Sequence, residues 1–319
     1  MKNKILVIDG NNLAHRCKHV FSLSNAGEDV SVLYGFLYVL ISYLRKFSPT
    51  SVVVAWDGGI PKFRTDLLPS YKANRMISDQ MDYQIFRNQM SKLQNILPNF
   101  GVLSIQNYGS EADDIMSQVS RIVVAEECII ISSDRDMVQC INENTSVFLP
   151  SSKDGGTLIT HDKLSAFIPV KKSSYLDWRA LQGDSSDNII GVRMIGEKTA
   201  TKLFLQYGSL SAIVTAATSG DVPGRVGGNI VEFGSDNLLR NVKVMNLWQD
   251  RTGARQAISD AADLWMPFSK TIVKIFLMKY AFISFMEPSV YRLFKELENI
   301  SLIDTRFPIC KERRQAREW

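Results

Sequence analysis

Two short β-branched runs, Lys4 to Ile8 (KILVI) and Ser51 to Trp56 (SVVVAW), are each closed by an aspartate and then a glycine. Apolar runs of this length that end in a loop are expected of buried parallel strands. Between them Val32, Leu33, Phe36, Leu37, Leu40 and Leu44 recur at helical spacing, which makes a strand-helix-strand unit. Gly101 to Ile105, Cys128 to Ile131 and Ser146 to Leu149 are three further strand candidates. A helix opened by Ser110 and Glu111, with Ile115, Val119 and Ile122 along one face, lies between the first two of them. The alternation predicts an α/β fold with a doubly wound, mainly parallel sheet over roughly residues 1–150. In such sheets ligands bind at the carboxyl ends of the strands.

From about Lys171 the texture changes to helical segments with glycine-containing turns. Ser173 to Gln182, Gly196 to Gln206 and Ser209 to Ala217 read as helices, and Thr218 to Gly228 (TSGDVPGRVGG) as loop chemistry. The division that follows is an α/β core over 1–170, a helical subdomain over 171–250, and a C-terminal helical extension over 251–319 that packs on the core. Its basic tail, Lys311 to Arg317, reads as a solvated end.

At 319 residues and 45% hydrophobic, the chain buries a full core. No apolar run reaches transmembrane length, and MKNKILVIDG enters a strand without the apolar region of a signal peptide, so a cytoplasmic location and no membrane partner are expected. The four cysteines show no CxxC spacing and no nearby histidine pairs, which disfavours a zinc site or a disulfide framework.

The acidic residues change the picture most. Asp9, Asp57, Glu111, Asp113, Asp114, Asp134, Asp136, Asp184 and Asp187 fall in short clusters, most of them just after a predicted strand. Carboxylates gathered at one sheet edge resist joint ionisation unless something positive sits between them. An all-oxygen set without His or Cys suits magnesium or manganese, so a two-metal phosphoryl-transfer site is expected. Setting these nine aside leaves 24 acidic against 37 basic residues, an excess of 13 that suits a phosphate backbone.

The blocks VIDGNNLAHR, VAWDGGIPKFRTDLLPSYKANR, YGSEADDIMSQV, ISSDRDMVQCI and LQGDSSDNIIGVRMIGEKTATKLF, in this order over roughly residues 4–250, resemble the structure-specific 5′ nucleases. That group includes phage 5′-3′ exonucleases, the 5′-nuclease domain of bacterial DNA polymerase I and flap endonucleases. The resemblance implies a PIN-like core, a helical arch over the active site at 72–98, and a helix-hairpin-helix in the helical subdomain. It also implies that all nine carboxylates serve two magnesium ions, with manganese as a substitute, and that Asp184 and Asp187 are outer or second-metal members.

By the same resemblance Lys72 and Arg75 act on the scissile phosphate, and Arg16 and Arg64 on other substrate phosphates. Tyr71 and Tyr83 are stacking candidates for bases. Gly191, Arg193, Gly196, Lys198 and Thr199 match the hairpin that grips duplex phosphates, in the family often with a potassium ion. Met194 stands where that pattern usually has glycine, which counts against the ion. His15, His19 and His161 have no partner for general-base work.

The function expected is a divalent-metal-dependent 5′-3′ exonuclease and flap endonuclease of DNA replication, in a bacterial or phage-infected cell. It would be a monomer acting on branched or 5′-ended DNA, with an RNA-DNA hybrid as a further candidate substrate and replication proteins such as a single-strand-binding protein as candidate partners. Two rivals are a PIN-type ribonuclease, which lacks the hairpin block and the Asp184 and Asp187 pair, and a catalytically silent branched-DNA-binding protein, which would not need nine intact acids.

Overall fold

The structure, a computed structural model, describes residues 3–74, 80–151 and 155–302. Its centre is a six-stranded sheet formed by β1 (Lys4–Asp9), β2 (Ser51–Trp56), β3 (Leu103–Gln106), β4 (Glu127–Ile131), β5 (Thr145–Leu149) and β6 (Thr157–Ile159). The order is β3-β2-β1-β4-β5-β6, with the first five strands parallel and β6 antiparallel to β5. The five predicted strands are all present. β6 was not predicted, because three residues with only Ile159 buried leave no periodicity to read.

From β1 the chain builds outward through β2 to β3, then returns to the other side of β1 for β4 and β5. The order therefore reverses between β1 and β4, whose carboxyl ends flank the natural crevice of such a sheet. Helices cover both faces, as strands apolar on both sides require. Ile5 and Val7 of β1 point into one core with α5 (Ala112–Ile122), whereas Leu6 and Ile8 point into a second with α1 (Gly10–Val20) and α2 (Ser31–Phe47).

Two more helices precede α5: α3 (Lys62–Leu67) and α4 (Gln80–Ile96). The predicted arch falls on α4, with 75–79 outside the described residues. Phe86, Leu93 and Ile96 are buried, so its apolar stripe is core packing. The buried Gln89 side chain accepts from the Val32 and Leu33 amides, capping the start of α2 and seating α4 on the core.

The helical half comprises α6 (Tyr175–Gln182), α7 (Glu197–Tyr207), α8 (Leu210–Thr218), α9 (Arg225–Phe233) and α10 (Ser235–Met245). Here the structure corrects the sequence reading, since α9 begins inside the stretch expected to be loop. Gly227, which looked like a loop marker, is helical and lets the turn approach the preceding segment: a Cβ there would lie 2.5 Å from the Val222 carbonyl oxygen.

The final helices are α11 (Ala254–Asp263), α12 (Lys270–Lys279) and α13 (Pro288–Lys295). Ala254 and Ile258 join the first core, and Val273, Leu277 and Phe294 the second. After α13 the chain crosses the amino ends of the strands, where the Glu298 amide donates to Thr50 and the Val124 amide to Ser301, both at 2.8 Å. Among the described residues no helix is long and apolar enough to cross a membrane.

Candidate active site

Asp9 ends β1 and caps α1, its Oδ1 accepting from the Asn12 amide at 2.8 Å and its Oδ2 from the Ser132 hydroxyl at 3.0 Å. The turn is tight because Gly10 follows: a Cβ there would come within 2.6 Å of the Trp56 ring. Burial first, and then the nearby Asp57 and Asp134, push the Asp9 carboxyl up to about 7.

Asp57 follows β2 in a loop stitched to the start of α5. The Gly58 amide donates to Ser110 at 2.8 Å, the Gly109 amide donates to Gly58 at 3.1 Å, and the Asp57 carboxylate accepts from the Ala112 amide at 2.8 Å. A side chain at position 58 would collide with the Asn107 carbonyl oxygen, 1.8 Å from its Cβ. Two acidic blocks separated by half a hundred residues are thereby held as one surface.

On α5 the EADD block splits by function of its faces. Glu111 caps the helix in a reciprocal box with Asp114. Arg64 of α3 forks onto Asp114 at 2.7 and 2.8 Å, reaches Glu111 at 2.9 Å and donates to the Val244 carbonyl at 3.1 Å. Asp113 points elsewhere and has no hydrogen-bond partner among the described residues. Burial, then Asp134 and Asp9, raise its carboxyl well above the ordinary range.

Asp134 caps a short 3₁₀ turn after β4 by accepting from the Asp136 amide at 2.7 Å. Asp136 instead pairs with Arg179 of α6 at 3.0 Å, and the same guanidinium holds Asp184 at 2.8 Å. Burial drives the Asp136 carboxyl up to about 6 against the pull of Arg179. In Asp184, burial is outweighed by the Ser186 amide and hydroxyl and by Arg179, which keep its carboxyl below the usual value.

Asp184 and Asp187 lie on a small hairpin of the helical half, Gly183–Asp184 paired with Ile189–Ile190. The hairpin docks on residues 70–74 through three hydrogen bonds: the Lys72 amide to Asp187 O (3.0 Å), Asn74 Nδ2 to Ser185 O (3.0 Å) and Asn188 Nδ2 to Ser70 O (2.6 Å). The Lys72 ammonium contacts Glu111 and lies 3.6 Å from Asp187. The Tyr71 hydroxyl lies between two carboxylates, 2.9 Å from Glu111 and 3.1 Å from Asp187, and its one hydrogen is shared between them.

The nine acids are thus not equivalent. Glu111, Asp114, Asp136, Asp184 and Asp187 each pair with a protein cation, whereas Asp9, Asp57, Asp113 and Asp134 form no ion pair among the described residues, although Lys72 near Asp113 and Arg179 near Asp134 offset part of their charge. These four face one another at the switch point of the sheet, the arrangement whose charge a bound cation would relieve. No three of the described acids already stand in a cage around one point.

Two expected substrate contacts are corrected. Arg64 is only 2% exposed and its guanidinium is engaged by two carboxylates and a carbonyl, so no face is left for a phosphate. Tyr71 is buried with its hydroxyl turned to the acids, not presented as a stacking surface. Arg16 lies two turns along α1, half-buried beside Tyr43. Tyr83 stays at the surface under Arg87, 5.8 Å from its ring. Arg75 lies outside the described residues.

Sequence reasoning missed Arg179 and Ser132. Arg179 sits five residues before Asp184, on a helix whose acidic partner Asp136 is far away in sequence, and only the docking of α6 reveals it. Ser132 directly follows β4 at the switch point, and that position was the available signal.

The helix-hairpin-helix residues form a separate surface. Val192 and Ile195 are buried, while Arg193, Met194, Gly196 and Lys198 are exposed and Thr199 is half-buried. Gly191 packs on α6, where a Cβ would meet the Gln182 carbonyl oxygen at 2.1 Å. Met194 takes a left-handed backbone, φ 66°, so the position does demand what glycine offers and methionine adopts it under strain.

The family model described as 5′-3′ exonuclease, N-terminal resolvase-like domain, matches residues 4–166, and that described as 5′-3′ exonuclease, C-terminal SAM fold, matches residues 170–257. The chain belongs to the 5′-3′ exonuclease family. Within it, a thermostable DNA polymerase I of Thermus filiformis is 34% identical over 214 residues, 66% of this chain and 25% of that protein. A DNA polymerase I of Mycobacterium bovis is 30% identical over 258 residues, 78% of this chain and 28% of that protein. The chain spans about a quarter of the length of these polymerases.

The fold is shared with a phage T5 5′-exonuclease solved with divalent metal ions (zinc) bound, at a TM-score of 0.65 and 22% identity, covering 85% of this chain and 99% of that one. It is also shared with flap endonuclease-1 from Methanococcus jannaschii, at a TM-score of 0.56 and 15% identity, covering 92% and 93%.

Proposed function

We propose that this member of the exonuclease family is a divalent-metal-dependent 5′-3′ nuclease that cuts phosphodiesters near junctions of single-stranded and duplex DNA. The observation that carries the reading is the quartet of Asp9, Asp57, Asp113 and Asp134, crowded at the carboxyl edge of the parallel sheet with no ion pair among the described residues and flanked by Lys72. The metal-bound phage exonuclease of the same fold supports a divalent requirement, and the donor chemistry, all carboxylate oxygen, suits magnesium or manganese. Such ions activate water and neutralise charge on a transferring phosphoryl group.

The remaining residues position and polarise. Arg64 fixes the start of α5 so that Asp113 faces Asp9 and Asp134, Arg179 holds Asp136 and Asp184 at the border of the quartet, and Lys72 brings positive charge to the side where a scissile phosphate would enter. The exposed Arg193, ahead of α7, and the exposed Lys198 and half-buried Thr199 in its first turn fit a sequence-independent grip on duplex phosphates.

The test is cleavage of end-labelled flap, nicked, gapped and RNA-primed duplexes and of plain single-stranded RNA, with magnesium, with manganese and with a chelator. The expected outcome is metal-dependent release of 5′ products from the branched or nicked substrates, with plain RNA cut poorly. Cleavage that persists in chelator, or that is confined to plain RNA, would overturn the reading.

A further inference from the structure

Helix α12 has the sequence KTIVKIFLMK. Val273 and Leu277 face the core, but Ile272, Ile275 and Met278 also recur at helical spacing and are 47, 64 and 57% exposed, and Ile283 just beyond the helix is 65% exposed. One exposed aliphatic side chain is ordinary; a stripe of them along one helix marks a surface that another molecule covers. The helix carries Lys270, Lys274 and Lys279 and no acid. At 100° per residue, Lys270 and Lys274 lie around the helix on the side next to Met278 and Ile275.

Those two lysines line a groove of about 860 Å³ between α12 and α13, to which Arg292 and Lys295 add two more cations and Glu296 the single acid. None of the four cations forms an ion pair with a described residue. Phe268 and Tyr291 supply apolar lining, and the Tyr291 hydroxyl is buried without a hydrogen-bond partner among the described residues. A buried hydroxyl of this kind is costly to leave unpaired. Phe268 packs beside Gly101, ahead of β3, so the groove lies near the amino ends of the strands, away from the acidic quartet.

We propose that the stripe and groove together dock an acidic, apolar-anchored peptide segment of a partner protein. Charge complementarity selects an acidic occupant, and the aliphatic stripe selects a protein over nucleic acid, whose bases are held by aromatic platforms. A concave groove fits a chain better than a flat bilayer. A second copy would set lysines against lysines, and the chain's own residues 303–319 carry five basic and three acidic side chains, the wrong sign for this surface.

The test is fluorescence anisotropy of the full chain with a short labelled peptide alternating Glu with Leu and Phe, beside the same peptide with Lys for Glu, an oligothymidylate and phosphatidylglycerol vesicles. The acidic peptide alone is expected to bind saturably. Ile275→Asp and, separately, Lys274→Glu with Arg292→Glu should each weaken it roughly tenfold, leaving the melting curve and the cleavage rate unchanged. Because the two variants remove different chemistry, the charge variant still decides the matter should Ile275→Asp fold poorly. An acidic peptide that does not bind overturns the proposal. So does binding that neither variant weakens, oligothymidylate or vesicle binding lost in both variants, or a dimer that Ile275→Asp dissolves.

Discussion

Asp113 and Asp114 are adjacent in sequence and opposite in circumstance. Asp114 is clamped by the Arg64 fork, whereas Asp113 faces other acids. Asp114→Ala strands a buried guanidinium and should cost about 3–5 kcal/mol in urea unfolding. Asp113→Asn should abolish metal-dependent cleavage while leaving stability equal or higher, a contrast that parallel unfolding curves and cleavage assays would check.

The quartet also sets a pH dependence. Burial and its acidic neighbours lift the folded-state pKa of Asp9 to about 7 from an ordinary 3.8, so its protonated form is favoured by folding. The associated stability is fully present below about pH 4 and is lost as pH rises through about 7. In chelator, Asp9→Asn should therefore raise stability at pH 8, on the order of 2 kcal/mol, and leave it unchanged at pH 4. Equal shifts in thermal melts at both pH values would count against this origin.

Between elements, the connections decide geometry. The Gly58 loop joins β2 to α5, and the hairpin of Asp184 and Asp187 joins the helical half to residues 70–74. Met194 holds a left-handed backbone that costs a non-glycine residue roughly 1–2 kcal/mol. Met194→Gly should stabilise the protein by about 0.5–1 kcal/mol in denaturant titration, offset in part by the freedom glycine gains when unfolded. Lys72→Ala should slow single-turnover cleavage by about 10²-fold or more with little change in DNA affinity. A pure binding defect would place the lysine outside the chemistry.

For the whole molecule, the sheet was legible because parallel strands buried on both faces are unbroken β-branched runs, and the acids were legible because they follow those runs. What escaped was set by long-range packing. The chain around Arg64 reads like that around Arg16, yet only Arg64 is buried, since α10 supplies the Val244 carbonyl that completes its shell. Likewise α9 hid behind glycines whose role is close approach. The covering of α12 was invisible for the opposite reason: its apolar residues recur around the helix as a core helix would have them, and only burial distinguishes the face that is covered from the one that is not.

Lys72 itself sits at φ 55°, a conformation tied down by the hydrogen bond from its amide to the Asp187 carbonyl. The hairpin that makes this bond comes a hundred residues later in the chain. A ribosome-bound chain that ends before the hairpin therefore has seven of the nine acids and the Glu111 partner of Lys72, but lacks the Asp187 carbonyl that ties down the lysine's backbone, so this part of the site is completed only late in synthesis.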